Sequence, residues 1–110
     1  MDPSASPVRV AFSTAPDAET AARIARALVE ERLAACVNLV PAVRSIYRWQ
    51  GAIEDQSEVL LVIKTSAERV GPLAERLRAL HPYELPELLA LPVAAGLGPY
   101  LDWVAAEATP

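Results

Sequence analysis

The sequence predicts an α+β fold in which strands and helices follow one another as β-α-β-β-α-β, with a short helix added at the end. Three observations predict it. Val8, Val10 and Phe12 alternate with Arg9, Ala11 and Ser13 at the period of a strand. Residues 18–34 and 66–80 carry apolar side chains at helical spacing. Between them, two β-rich runs meet at Gln50-Gly51, a pair suited to a tight hairpin turn. A chain of 110 residues suits one domain with its own core, and neither repeat nor linker divides it. Residues 8–108 are therefore expected to form a single domain behind a disordered tail, residues 1–7.

Each element has a local cause. After the first strand, Thr14-Ala-Pro16 turns the chain, and Asp17 is placed to cap the first helix, whose first turn also holds Glu19. Ala21, Ile24, Ala25, Leu28 and Val29 form its apolar stripe, while Glu19, Arg23, Arg26 and Glu30 face away. A strand then starts near Cys36 and is interrupted by Pro41, which points to a bend or a sheet edge. From Val43 to Trp49 it resumes, with Val43, Ser45, Tyr47 and Trp49 on one face and Arg44, Ile46 and Arg48 on the other. The returning strand rises from Glu54–Ser57 into Glu58-Val-Leu-Leu-Val-Ile63, apolar on both faces and so expected at the centre of the sheet.

Ser66 is a candidate cap for the second helix, with Val70, Leu73, Leu77 and Leu80 inward; alternatively Pro72 starts it and residues 67–70 form a separate turn. Pro82 ends the helix by His81, and Pro82, Pro86 and Pro92 forbid helix through HPYELPELLALP. Leu88–Val93 then reads as a buried strand. Gly96, Gly98 and Pro99 break the chain before a terminal helix with Tyr100, Trp103 and Val104 on its apolar side. With right-handed crossovers this order folds as a split β-α-β sandwich, the ferredoxin-like arrangement. The hairpin of residues 43–64 is longer than the other strands can pair, so its outer half, with Tyr47 and Trp49, is expected to meet another subunit.

Composition excludes some functions. A net charge of −4, with Lys64 the only lysine, leaves no basic surface for nucleic acid. No apolar run approaches the roughly 18 residues that span a bilayer, so no membrane partner is expected. One cysteine, Cys36, permits no intrachain disulfide and suits a reducing compartment. The opening MDPSASP lacks the basic and apolar regions of a secretory leader. A cytoplasmic protein is expected.

Five motifs occur in one order: LVEERLAACVNLVP, SIYRWQG, EVLLVIKT, HPYELPE and PYLDW. From about Thr14 to Trp103 the chain resembles the CutA divalent-cation tolerance family. That resemblance implies a non-enzymatic ferredoxin-like subunit in a tight homotrimer, its long strands pairing across subunits, with an association with Cu(II) and other divalent cations. It also implies an architecture similar to the trimeric PII signalling proteins. Some bacterial relatives carry a cysteine before the T-A-P turn and a histidine before H-P-Y. Here those positions hold Ser13 and Leu80, leaving His81 alone of the soft ligands.

The candidate site residues each have a second reading. His81, after a helix end, is either a structural cap or, with Glu84 or Glu87, a metal ligand. Glu84 and Glu87 are either solvated acids or part of a site beside Tyr83. Lys64 either meets a ligand in a cleft with Tyr83 and Cys36 or pairs with Glu58 or Glu87. Cys36 is otherwise a small core residue. Tyr47, Trp49 and Trp103 are expected at the trimer interface, with ligand stacking the other role for the first two. A PII-like sensor that binds a small metabolite is the alternative function. No nucleophile with a partnering base and no phosphate-cradling glycine loop favours an enzyme.

Overall fold

The structure, a computed structural model, describes residues 6–110. In chain order it comprises β1 (Val8–Ala15), α1 (Ala18–Glu30), β2 (Cys36–Trp49), β3 (Ala52–Ser66), a 3-10 turn (Ala67–Arg69), α2 (Val70–Leu80), β4 (Leu89–Pro92) and α3 (Gly98–Glu107). The four strands form one antiparallel sheet in the order β2-β3-β1-β4, the ferredoxin-like arrangement. Most of the tail expected to be disordered, residues 1–5, lies outside the described residues. Ser6 and Pro7 are tied in: Ser6 Oγ accepts from the Val8 amide at 3.0 Å and the Pro7 carbonyl from the Ala67 amide at 2.7 Å.

Strand parity sorts the sheet into two faces. Ala11, Ser13 and Ala15 of β1 lie opposite Ile63, Leu61 and Val59 of β3, and this face receives the helices. Ile24 and Leu28 of α1 and Leu73 and Leu77 of α2 complete the core, each side chain contributing about 1.5–3 kcal/mol on burial. The other face carries Val10, Phe12, Leu60 and Val62, and α3 covers only its end, through Val104 and Ala108 against Val8. Asp17 caps α1 as expected, accepting from the Thr20 amide at 2.7 Å, and this bond holds the pKa of its carboxyl below the ordinary range.

Several expectations are corrected by tertiary contacts. The first helix stops at Glu30, because Arg32 adopts a left-handed conformation (φ 58°) and the amides of Leu33 and Ala34 both turn back to the Leu28 carbonyl. Val29 is consequently left exposed. Ser66 caps nothing; its hydroxyl donates to the Ala108 carbonyl at 2.9 Å and pins α3. The strand expected to be buried, β4, is exposed throughout, because it is an edge strand whose Leu89 and Leu91 point to the face without helices.

Two turns set the hairpin. Gln50 and Gly51 both take positive φ (49° and 82°), the two-residue geometry that suits strand twist. At Pro41 and Ala42 the register between β2 and β3 slips between Val40 and Val43, a bulge with Ala42 at φ 61°. Beyond it, residues 43–49 pair only with 52–58, and this arm stretches the molecule to 45 Å.

Candidate ligand and cation cleft

The segment after α2 is strapped to the sheet by two side chains. His81 is buried, and its Nε2 lies 2.7 Å from the Thr14 carbonyl while Nδ1 accepts the Tyr83 amide at 3.1 Å. A carbonyl only accepts, so Nε2 carries the proton and the ring is neutral while both bonds hold. Neither nitrogen then has a lone pair free for a metal. Tyr83 continues the strap: its ring lies 4.7 Å from that of His81, and its hydroxyl donates to Glu58 Oε2 at 2.7 Å. Burial, then the hydrogen bond and charge of Glu58, push the phenol well above its usual range.

The strapped segment and the hairpin arm enclose a cleft with two compartments. The outer, about 330 Å³, lies among Tyr47, Trp49, Pro82, Tyr83, Glu84 and Leu85. An inner one of about 400 Å³ shares Tyr47, Trp49, Tyr83 and Leu85 and reaches Glu58 and Glu87. Parity explains the convergence: Tyr47 pairs with Glu54 and Val43 with Glu58, so Tyr47, Trp49 and Glu58 occupy one face of the arm. Glu87 stands at the surface against the cleft wall, where partial burial first and the Glu58 charge second push its carboxyl up.

The expected site thus divides. Tyr83, Glu84 and Glu87 come together with Tyr47 and Trp49. Lys64 and Cys36 sit elsewhere: they are cross-strand partners on the face without helices, and Lys64 lies six positions along β3 from Glu58, about 20 Å at the usual rise. Among the described residues Lys64 forms no ion pair with Glu58 or Glu87. Trp103 is half-exposed on α3, 5.7 Å from the Tyr100 ring and outside the cleft. Ser13 is buried on the helix-facing side, and Leu80 packs against the same core. Glu58 is the residue that sequence reading undervalued; its signal was a single acid opening six residues, the rest apolar, on the same face as Tyr47.

Among the described residues no group of three or more His, Cys, Asp or Glu side chains is placed to share a metal ion. No helix is long and apolar enough to cross a membrane. Fold and cleft together define a ferredoxin-like α+β protein with a projecting hairpin and an acidic, aromatic-walled recess at its foot.

The chain belongs to the CutA1 divalent ion tolerance protein family, whose model matches residues 9–107. It is 55% identical over 95 residues to the divalent-cation tolerance protein CutA of Thermus thermophilus, covering 86% of this chain and 92% of that one. Protein CutA of Mus musculus is 56% identical over 97 residues, 88% of this chain, which spans only 55% of the mouse protein's length. The crystal structure of CutA from Xylella fastidiosa superposes with a TM-score of 0.91 at 51% identity, over 94% of this chain and 100% of that one.

Proposed function

We propose that this protein is a non-enzymatic homotrimer acting in divalent-cation tolerance, with a cation held at the cleft where subunits meet. One observation carries the reading: Glu58 and Glu87 line one recess, where partial burial first and the Glu58 charge second push the Glu87 carboxyl up. A cation would relieve that repulsion. One chain supplies too few donors, and His81 is engaged in the strap, so the copper-type soft set does not fit here; oxygen donors of Glu58, Glu84 and Glu87 would be completed by a neighbouring subunit. Support for the trimer comes from the arm, which leaves Ile46 and Ile53 exposed on one face and Tyr47 and Trp49 half-exposed on the other. The unpaired Cys36 suits a cytoplasmic setting.

The test is calorimetric titration of chelator-stripped protein with Cu(II), Zn(II) and Mn(II), with light scattering to count subunits. Three subunits and saturable binding, weakened in Glu87→Gln and retained in His81→Asn, are expected. Binding lost only in His81→Asn would replace the carboxylate site with an imidazole one. A trimer that binds no metal would favour the second reading, a PII-like sensor of a small metabolite. That reading draws on the three aromatic walls, Tyr47, Trp49 and Tyr83, which a bare metal ion does not need.

A further inference from the structure

Glu58 is a buried acid, 5% exposed, with an incomplete set of partners. Oε2 accepts from Tyr83, whereas Oε1 has no hydrogen-bond partner among the described residues, and no Lys, Arg or His among them pairs with the carboxylate. Oε1 is open to the recess rather than enclosed, since Ser13 Oγ is the one buried side-chain N or O atom without a partner among the described residues, and a cation entering there would meet an uncompensated negative charge. The recess that Glu58 lines contains Glu87 as well, and its outer compartment adds Glu84; neither compartment is lined by a lysine or arginine.

The lining selects among ligand classes. Phosphates and carboxylates are repelled by the acids. A neutral apolar molecule would leave Glu58 as it is, without a counter-charge. A bare metal ion would use the carboxylates alone, completed by a neighbouring subunit, and leave Tyr47, Trp49 and Tyr83 without a role. A cation with an apolar body uses both features: the charge pairs with Glu58, and alkyl groups around the nitrogen lie on ring faces, where the quadrupole adds attraction. The two compartments, about 330 and 400 Å³, fall within the usual range for small-molecule sites.

We propose that the cleft binds an organic ammonium ion, with Glu58 as counter-ion and Tyr47, Trp49 and Tyr83 as its walls. The proposal rests on the small-molecule reading above and names the ligand class. Tyr83 keeps its proton and holds Oε2, so it adds no competing charge and leaves Oε1 to the ligand.

The experiment uses the intact, chelator-treated oligomer and three probes: tetramethylammonium, butylammonium and, as the uncharged control, butan-1-ol. Proton NMR follows upfield shifts of the probe's alkyl signals, since protons over aromatic faces are shielded. Saturable binding of both ammonium ions is expected, with butan-1-ol at least about tenfold weaker and Glu58→Gln weakening the ammonium ions by about tenfold or more. Trp49→Leu, on the exposed arm, should shrink the shifts and serves if Glu58→Gln fails to fold. Equal binding of butan-1-ol would sink the charge assignment while sparing the sensor reading. Ammonium binding unaffected by both substitutions would place the site elsewhere. No ammonium binding, with the oligomer weakened in Glu58→Gln, would mean that a guanidinium of a second copy already fills the position, and the proposal would fall.

Discussion

Tyr83 donates its hydroxyl proton to Glu58 Oε2 at 2.7 Å, joining the segment after α2 to β3 across 25 positions of sequence. Tyr83→Phe removes the only hydrogen bond to this carboxylate among the described residues while keeping the ring. A bond to a charged group is worth about 1.5–3 kcal/mol when fully buried; the half-buried phenol places the expected loss at about 1–2 kcal/mol. Urea unfolding of Tyr83→Phe, Glu58→Gln and the double variant measures the coupling. Strictly additive losses would show that the two side chains do not act as a pair.

Glu87 should make the protein less stable at neutral pH than it is in mild acid. Partial burial and the Glu58 charge raise its folded-state pKa above the unfolded one, so the protonated form is favoured by folding. The associated stability is full below the unfolded pKa and is lost as pH rises through the folded one. Glu87→Gln, which resembles the protonated acid, is therefore expected to raise Tm at pH 7, with the gain vanishing toward pH 4. Solvent screening at this surface position keeps the gain below about 1 kcal/mol. A gain that grows on acidification would reverse the assigned sign. Asp55 has the opposite sign: the Arg44 guanidinium at 2.6 Å lowers its pKa, so its contribution is present above the carboxylate range and lost in acid.

Ser13 presents a simpler case. Its Oγ is buried on the helix-facing side of β1 without a hydrogen-bond partner among the described residues, between the small residues Ala11 and Ala15 on the same face. Leaving a hydroxyl unpaired costs about 1–3 kcal/mol by mutational measure, against a small loss of packing when the oxygen is removed. Ser13→Ala is expected to stabilise the protein by about 1 kcal/mol. Differential scanning calorimetry would check it, and a lowered Tm would imply that the hydroxyl has a partner in the oligomer.

What was legible in the sequence was set by near neighbours in the chain. Asp17 before an amphipathic run and Gln50-Gly51 between two β runs act over a few residues, and both behave as expected. The long arm was legible because residues 43–49 had no other strand to pair with. The site was legible only in part. That Tyr83, Glu84 and Glu87 share a recess with Tyr47 and Trp49 depends on a bulge at Pro41-Ala42 and on the register it sets. That His81 turns inward depends on a carbonyl 67 positions away. Lys64 and Cys36 are expected in a cleft with Tyr83, whereas strand pairing, which short-range patterns do not encode, puts them together at the end of β3 away from the acids.

Arg32 shows the same limit at a helix end, and it yields the last prediction. The chain has no glycine where α1 stops, yet Arg32 sits at φ 58°, a conformation that costs a side-chain-bearing residue about 1–2 kcal/mol. Its guanidinium offsets this by capping α3 from outside: Nε donates to the Thr109 carbonyl at 2.6 Å and Nη2 to the Ala106 carbonyl at 2.9 Å, with Glu107 3.7 Å away. Those carbonyls belong to the last turn of α3 and its exit, where intrahelical donors run out. Arg32→Ala keeps the strained backbone and loses the cap, whereas Arg32→Gly loses the cap and the strain together. Both should destabilise, with the glycine variant about 1 kcal/mol the more stable of the two, and in both the amides of residues 104–108 should exchange faster by hydrogen–deuterium measurement. Equal stability of the two variants would show that the left-handed turn carries no strain. Unchanged exchange in α3 would show that the arginine does not hold the helix end.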